Sequence, residues 1–238
     1  MANSKASKKK VNAKAPVKTA EQESNIGEVL SRSEEFIEKN KNSIIIAIVA
    51  LIVIVAGGML YKSKVVDPKE LRVAEYIYPG QNYFMAGDYE TALNGDGYDF
   101  LGFVDIAKSY GGTKSGNLAK AYAGLCLAQL DSCDAAIDYL KKFKGKDQMV
   151  TPSVTAALAH CYANVGQMSK AAGLFVKAAN KADNDLLSAD FLMQAALIYE
   201  SEDNKAQALK LFQRIKKEYP ASEQGDVIEE YITRVTSK

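Results

Sequence analysis

The alternation of hydrophobic and polar positions stops once along this chain, from Ile44 to Leu60, where IIIAIVALIVIVAGGML carries no charged and no polar side chain. At about 1.5 Å per residue such a helix spans roughly 26 Å. Adding Ser43 and Tyr61 brings it near the ~30 Å hydrocarbon core of a bilayer. β-Branched residues fall on every face, so the polar stripe of a surface helix is missing. Lys39 and Lys41 precede the run, and Tyr61, Lys62 and Lys64 follow it, a basic and aromatic boundary suited to a membrane interface. The pattern predicts one transmembrane helix over 43–61. Upstream, residues 1–24 are mostly Lys, Ala, Ser and Asn with little to bury and are expected to be disordered. In residues 25–42, Ile26, Val29, Leu30, Phe36 and Ile37 suggest a short amphipathic lead-in. Downstream, residues 62–72 form an exit segment in which Pro68 can start a helix at its first turn. The soluble part, 62–238, is long enough for one domain with a real core.

Small residues recur inside that soluble part. Ala92, Ala136, Ala171 and Ala208 each follow a predicted helix turn, at intervals of 44, 35 and 37 residues. The third unit reads LAHCYANVGQMSKAAGLFVKAA and the fourth AALIYESEDNKAQALKLFQRIKKEYP. Leu158, Ala159, Tyr162, Gly166, Ala171, Phe175 and Ala178 mark the third unit. Ala196, Tyr199, Ala208, Phe212 and Pro220 mark the fourth. Gly124, Ala136 and Leu140 mark the second, with Asp131 in place of the turn Gly. Gly80, Tyr83, Gly87, Tyr89 and Ala92 mark the first. These units resemble the tetratricopeptide repeat, a 34-residue helix-turn-helix. The resemblance implies an all-α solenoid of about four repeats. Small residues at the helix crossing let two backbones approach while Tyr and Phe fill the space beside them. Gly87 and Gly166 can take the left-handed conformation that ends a helix. The long first interval implies ten extra residues around NGDG and a second loop at Gly111-Gly112. Pro79 predicts a kink or break in the first pair. After Pro220 a terminal helix with Ile228, Tyr231, Ile232 and Val235 facing inward is expected to cap the array.

Charge changes the picture mainly at the tail. The chain holds 30 Lys and Arg against 29 Asp and Glu, a net of +1; residues 1–42 contribute +3, so residues 43–238 sum to −2. That balance gives no electrostatic footprint for nucleic acid beyond the membrane. Lys5, Lys8, Lys9, Lys10, Lys14 and Lys18 precede any acid. A short basic flank stays in the cytoplasm, whereas a long domain crosses largely regardless of charge. The N-terminus is therefore expected in the cytoplasm and the C-terminal domain outside it. The apolar run starts too far from Met1 for a cleavable signal peptide, and no A-x-A-like site follows it before KSK. No Cys stands in a lipobox position, so an uncleaved signal anchor is expected.

Candidate chemistry is sparse. The chain has one His and no Trp, and no G-x-S-x-G or P-loop fingerprint. Glu229-Glu230 fits a solvated helix face. Asn94, Asp96 and Asp99 suggest a calcium loop, but an EF-hand needs Gly and Glu where Asp99 and Asp105 stand, so turn chemistry is the reading. No catalytic residue, cofactor, metal or small-molecule substrate is expected. Cys126, Cys133 and Cys161 are an odd set. Cys126 and Cys161 occupy equivalent repeat positions on helices normally 8–10 Å apart, beyond an unstrained disulfide. They are expected to pack in the core, with Cys133 at the surface.

Tetratricopeptide proteins bind peptides in a concave groove, and that register implies a partner-binding surface here. It runs through Ile77 and Phe84, then Leu118 and Leu125 (with Ala121 and Ala128), then His160 (with Ala156 and Ala163), then Met193 and Leu197 (with Glu200). The lining is apolar and suits a hydrophobic peptide or a partner helix. Either such a partner or a segment of the same chain, the terminal helix or the first unit, can fill it.

The order of parts carries a further resemblance. A basic tail, the lead-in EEFIEKNKNS, one anchor, the Lys62–Val73 exit and NLAKAYAGLCLAQL resemble the YfgM-type ancillary subunits of the bacterial Sec translocon. The resemblance implies a non-catalytic, single-pass protein of the bacterial inner membrane with its repeats in the periplasm. Its implied partners are the SecYEG channel and a PpiD-like membrane-anchored chaperone. The alternative is a structural adaptor of another envelope secretion or outer-membrane assembly machine.

Overall fold

The computed structural model describes residues 18–237, whose regular elements are all helices, with no strand among them. The chain divides into two units, residues 1–60 and 61–238. The first contains α1, Lys18–Tyr61. This helix runs without a break through the expected lead-in and the apolar run. Of the predicted disordered tail, residues 1–17 lie outside the described residues. Residues 18–24, Lys-Thr-Ala-Glu-Gln-Glu-Ser, are helical, and Lys, Ala, Glu and Gln all favour a helix. From Ile45 to Leu60 every large apolar side chain is exposed. Left in water, such side chains each forgo about 1.5–3 kcal/mol of burial. Among the described residues, one helical stretch is long and apolar enough to cross a membrane, and its apolar window is wholly unburied.

In the second unit Lys62–Val66 is π-helical, and α2, Asp67–Met85, has Pro68 in its first turn. Then follow α3, Tyr89–Asn94; α4, Phe103–Tyr110; α5, Lys114–Gln129; and α6, Cys133–Leu140. After them come α7, Val150–Asn164; α8, Met168–Ala182; α9, Ser188–Ser201; α10, Lys205–Glu218; and α11, Glu223–Thr236. Neighbours in sequence pack on one another, from α2 against α3 to α10 against α11. Three apolar clusters run along this order, and adjacent clusters share Leu127 on one side and Leu174 and Ile198 on the other.

One turn recurs four times among the described residues. Gly87, Asp131, Gly166 and Asp203 have φ of 79, 57, 76 and 55°. In each case that residue's N–H donates to the carbonyl three residues back, and the next N–H donates to the carbonyl five back, at 2.8–3.3 Å. This closes the open carbonyls at the end of the first helix of each pair. Asp131 and Asp203 hold the position without Gly because a short polar side chain tolerates it. Five residues beyond each turn stand Ala92, Ala136, Ala171 and Ala208, all with 0% exposure. The intervals read from the sequence are thus the intervals of the turns.

The first pair departs from the others in its second helix. α3 ends at Asn94, and eight residues, 95–102, pass before α4 begins at Phe103. Both α3 and α4 pack on α2 and on α5. The loop's ends meet: a Cβ on Gly102 would lie 2.4 Å from the Asn94 carbonyl carbon and from the Gly95 nitrogen. Gly102 also has φ of 81°, so only Gly fits there. The ten extra residues expected from the sequence are therefore an eight-residue closed excursion. Of the kink or break expected at Pro79, the break is absent, since α2 continues through it. The next residue, Gly80, is buried against Phe100 and Phe103, and that packing holds the helix where one hydrogen bond is lost.

Candidate protein-binding surface

The residues that carry the expected groove come from four helices and divide among three clusters. Ile77 on α2 is buried and Phe84 is half-buried. The Phe84 ring meets Tyr89 at 5.4 Å and Tyr122 at 5.3 Å, edge to face in both cases. Tyr122 in turn stacks on Phe103 at 4.8 Å. Phe84 is thus a member of an aromatic cluster rather than a free anchor. Leu118 and Leu125 on α5 are half-buried, Leu118 against the α2–α5 cluster and Leu125 against the α5–α8 cluster. His160 on α7 is exposed, its ring edge-on to buried Phe175 at 4.8 Å. Desolvation against that apolar floor lowers the imidazole pKa, and Asp190 opposes the shift. Met193 on α9 is buried and Leu197 half-buried, both with the α7–α11 cluster. Leu118, Leu125, His160 and Leu197 therefore keep accessible surface, whereas Ile77 and Met193 are buried.

The end of this surface is occupied within the chain. Arg234 on α11 donates from Nε and from Nη2 to the two carboxylate oxygens of Glu200 on α9, at 2.7 and 2.6 Å. Its guanidinium also lies over the Tyr231 ring at 4.5 Å. Ile228 and Val235 are buried and Tyr231 and Ile232 half-buried, as a capping helix requires. A bidentate fork fixes orientation as well as charge, so the Arg234–Glu200 pair holds α11 on α9, and Tyr231 steadies the guanidinium from within α11.

One thiol lies otherwise than the sequence suggested. All three are buried, including Cys133, which was expected at the surface. Cys133 opens α6, which packs on α7, and this turns its side chain inward beside Cys161 rather than out to solvent. Asn164 Nδ2 donates to its Sγ at 3.4 Å. Burial, and then the neighbouring Cys133 thiol, push Cys161 up to about 12. Burial likewise pushes Cys126 up to about 12. Thiols held protonated are poor nucleophiles. In the NGDG loop, Asp96 Oδ1 accepts from the N–H groups of Tyr98 and Phe100 at 2.9 and 3.0 Å, and Oδ2 from the Tyr83 hydroxyl at 3.2 Å. Those hydrogen bonds hold its carboxyl below the ordinary range. Asp96 builds the turn.

Two surface pockets escaped the sequence reading. One, of about 530 Å³, lies between α8 and α10 and includes Val176, Tyr199, Leu211 and Arg214. The other, of about 390 Å³, lies between the α6–α7 loop, α7 and α8 and includes Lys141, Lys144, Lys177 and Lys181. The run KKFKGK at 141–146 was its one visible signal; the matching lysines of α8 are far off in sequence. No protein-family model, curated protein or solved structure matches this chain.

Proposed function

We propose that this chain is a non-catalytic interaction module, anchored in the bacterial inner membrane by one span and displaying tetratricopeptide-type helix pairs in the periplasm. The observation that carries this reading is the shared register of the four turns and the four fully buried alanines. That is the backbone pattern expected when one helix-turn-helix unit is stacked repeatedly. The single unburied apolar helix supports the anchor. The order of tail, anchor and repeats supports a role as an ancillary subunit of the Sec translocon that assists secreted-protein traffic. Its partners in this reading are a SecYEG-type channel and a PpiD-like chaperone, docked on the exposed parts of α5, α7 and α9.

The test is affinity capture of the full chain from detergent-solubilised membranes. Recovery of the channel and the chaperone is the expected result. Recovery of an outer-membrane assembly or secretion machine instead replaces the translocon role with that of an adaptor. Carbonate washing should leave the chain in the pellet, and protease added from the periplasmic side should digest it beyond Leu71 while sparing the N-terminal tail. Leu118→Glu with Leu125→Glu should abolish capture with helicity retained. A folded double variant that still captures every partner removes α5 from the docking surface.

A further inference from the structure

The four lysines of the smaller pocket converge from two distant stretches of chain. Lys141 and Lys144 follow α6, and Lys177 and Lys181 lie one turn apart on α8. No carboxylate lines this pocket. Lys141 has an exposed partner in Asp138 at 3.6 Å, and among the described residues no carboxylate lies within 4 Å of the Lys144, Lys177 or Lys181 ammonium. The lining also includes the apolar Leu140, Phe143, Val154, Leu158 and Leu174. A domain whose overall balance is slightly acidic thus gathers four lysines, of which Lys141 has a partner in Asp138 and Lys181 feels Asp147, around one hollow.

The walls are built in advance. Asn117 clamps the loop, donating to the Lys144 carbonyl at 2.8 Å and accepting from the Lys144 N–H at 3.1 Å. Downstream, Asp147 Oδ1 accepts from the N–H groups of Met149, Val150 and Thr151, and Oδ2 from the Thr151 hydroxyl. Between these anchors a Cβ on Gly145 would lie 2.0 Å from Thr151 Oγ1, so the loop lies flush on the first turn of α7. Burial and the neighbouring Lys177 lower the Lys181 pKa, with the Asp147 carboxylate opposing, as expected where a partly buried ammonium stands beside another.

We propose that this pocket binds an acidic polypeptide segment that places one apolar side chain on the floor while its carboxylates meet the lysine rim. The volume of about 390 Å³ fits a side chain of Leu or Phe size with room for backbone. The rim has Lys and no Arg. Point charges on flexible stems meet carboxylates spread along an extended chain, and the apolar residues of the lining take a side chain that a phosphate ligand lacks. Val154, Thr155 and Leu158 form the α7 side of the pocket, a different face from Ala156, His160 and Ala163. The site is therefore separate from the surface under Proposed function, and failure of translocon capture leaves it standing.

The test uses the full chain in detergent and a fluorescent peptide of Glu and Asp surrounding one Leu, followed by anisotropy. Saturable binding that weakens as salt rises is expected. Lys177→Glu with Lys181→Glu should weaken it by about tenfold or more. Lys210→Glu with Lys217→Glu, at the other pocket, should leave it unchanged. Replacing the peptide's Leu with Ser should weaken binding, and replacing its acids with Gln and Asn should remove it. Lys177, Lys210 and Lys217 are exposed and Lys181 is half-buried, and circular dichroism checks the fold; should the Glu pair unfold, Lys177→Gln with Lys181→Gln takes its place. The proposal is overturned by absent saturable binding, by equal loss in both double variants, or by full displacement of the peptide by an oligouridylate of equal charge.

Discussion

The α7–α8 pair and the α2–α3–α4 pair make the same turn, yet they fill their crossings in opposite ways. Around α7 and α8 the core is small: Ala156, Ala159, Ala171, Ala172, Ala178 and Ala179 are buried to 4% exposure or less. Backbones approach closely there, and Phe175 fills what remains. Around α2 the core is large and aromatic. Tyr83, Phe100, Phe103, Tyr122, Phe84 and Tyr89 form one chain of ring contacts between 4.8 and 5.8 Å. The second helix of that pair is interrupted by an eight-residue loop, 95–102, and Phe100 from the loop supplies volume that a continuous helix would have supplied. The turn is set by backbone chemistry and so repeats; the filling is set by volume, so any shape that closes the gap serves.

Each expected outcome below strains that contrast. Phe103→Ala should be the most damaging change, because it opens a cavity beneath Tyr122 and Phe100 and costs about 3–5 kcal/mol, read by urea denaturation. Gly102→Ala should come next at about 3 kcal/mol, since it combines a positive φ with a backbone clash; a near-neutral result would mean the loop ends do not meet. Ala171→Leu overpacks the alanine crossing and should cost about 1–3 kcal/mol. If it proves harmless while Phe103→Ala is severe, the third pair is looser than its burial indicates. Gly166→Ala meets nothing within 4 Å and should cost only its backbone conformation, about 1–2 kcal/mol. The smallest effect is at Asp147. Partial burial opposes its ionisation, but the hydrogen bonds from Thr151 and from the N–H groups of Met149, Thr151 and Val150 hold it at about 2, below the ordinary 3.8. Its folded pKa is depressed, so its contribution is complete above about pH 4 and is lost as pH falls through about 2. Asp147→Ala should cost about 1 kcal/mol at neutral pH, as for a lost helix cap, and should flatten that acid limb of the stability curve.

Much of this was legible in the chain. The apolar run, the four alanines at intervals of 44, 35 and 37 residues and the inward face of α11 follow from period and composition. Local chemistry dictated Gly87 and Gly166. Asp131 was visible only as a departure, and Asp203 passed unnoticed, because a left-handed Asp leaves no mark that a surface Asp does not. The groove residues were harder to judge. Register placed Ile77, Phe84 and Met193 on a binding face, but only their neighbours reveal that they are buried or held in ring contacts.

By itself, then, the sequence determined the helical class, the unburied apolar helix and the register of the turns. Each depends on residues within a few positions of one another, and helix geometry links those directly. Tertiary structure alone decided that Cys133 lies inward beside Cys161. It alone closed the loop of residues 95–102 at Gly102, and it brought Lys141 and Lys144 to Lys177 and Lys181. Those contacts join positions that no helical period connects, and they exist only once neighbouring helices exclude water between them.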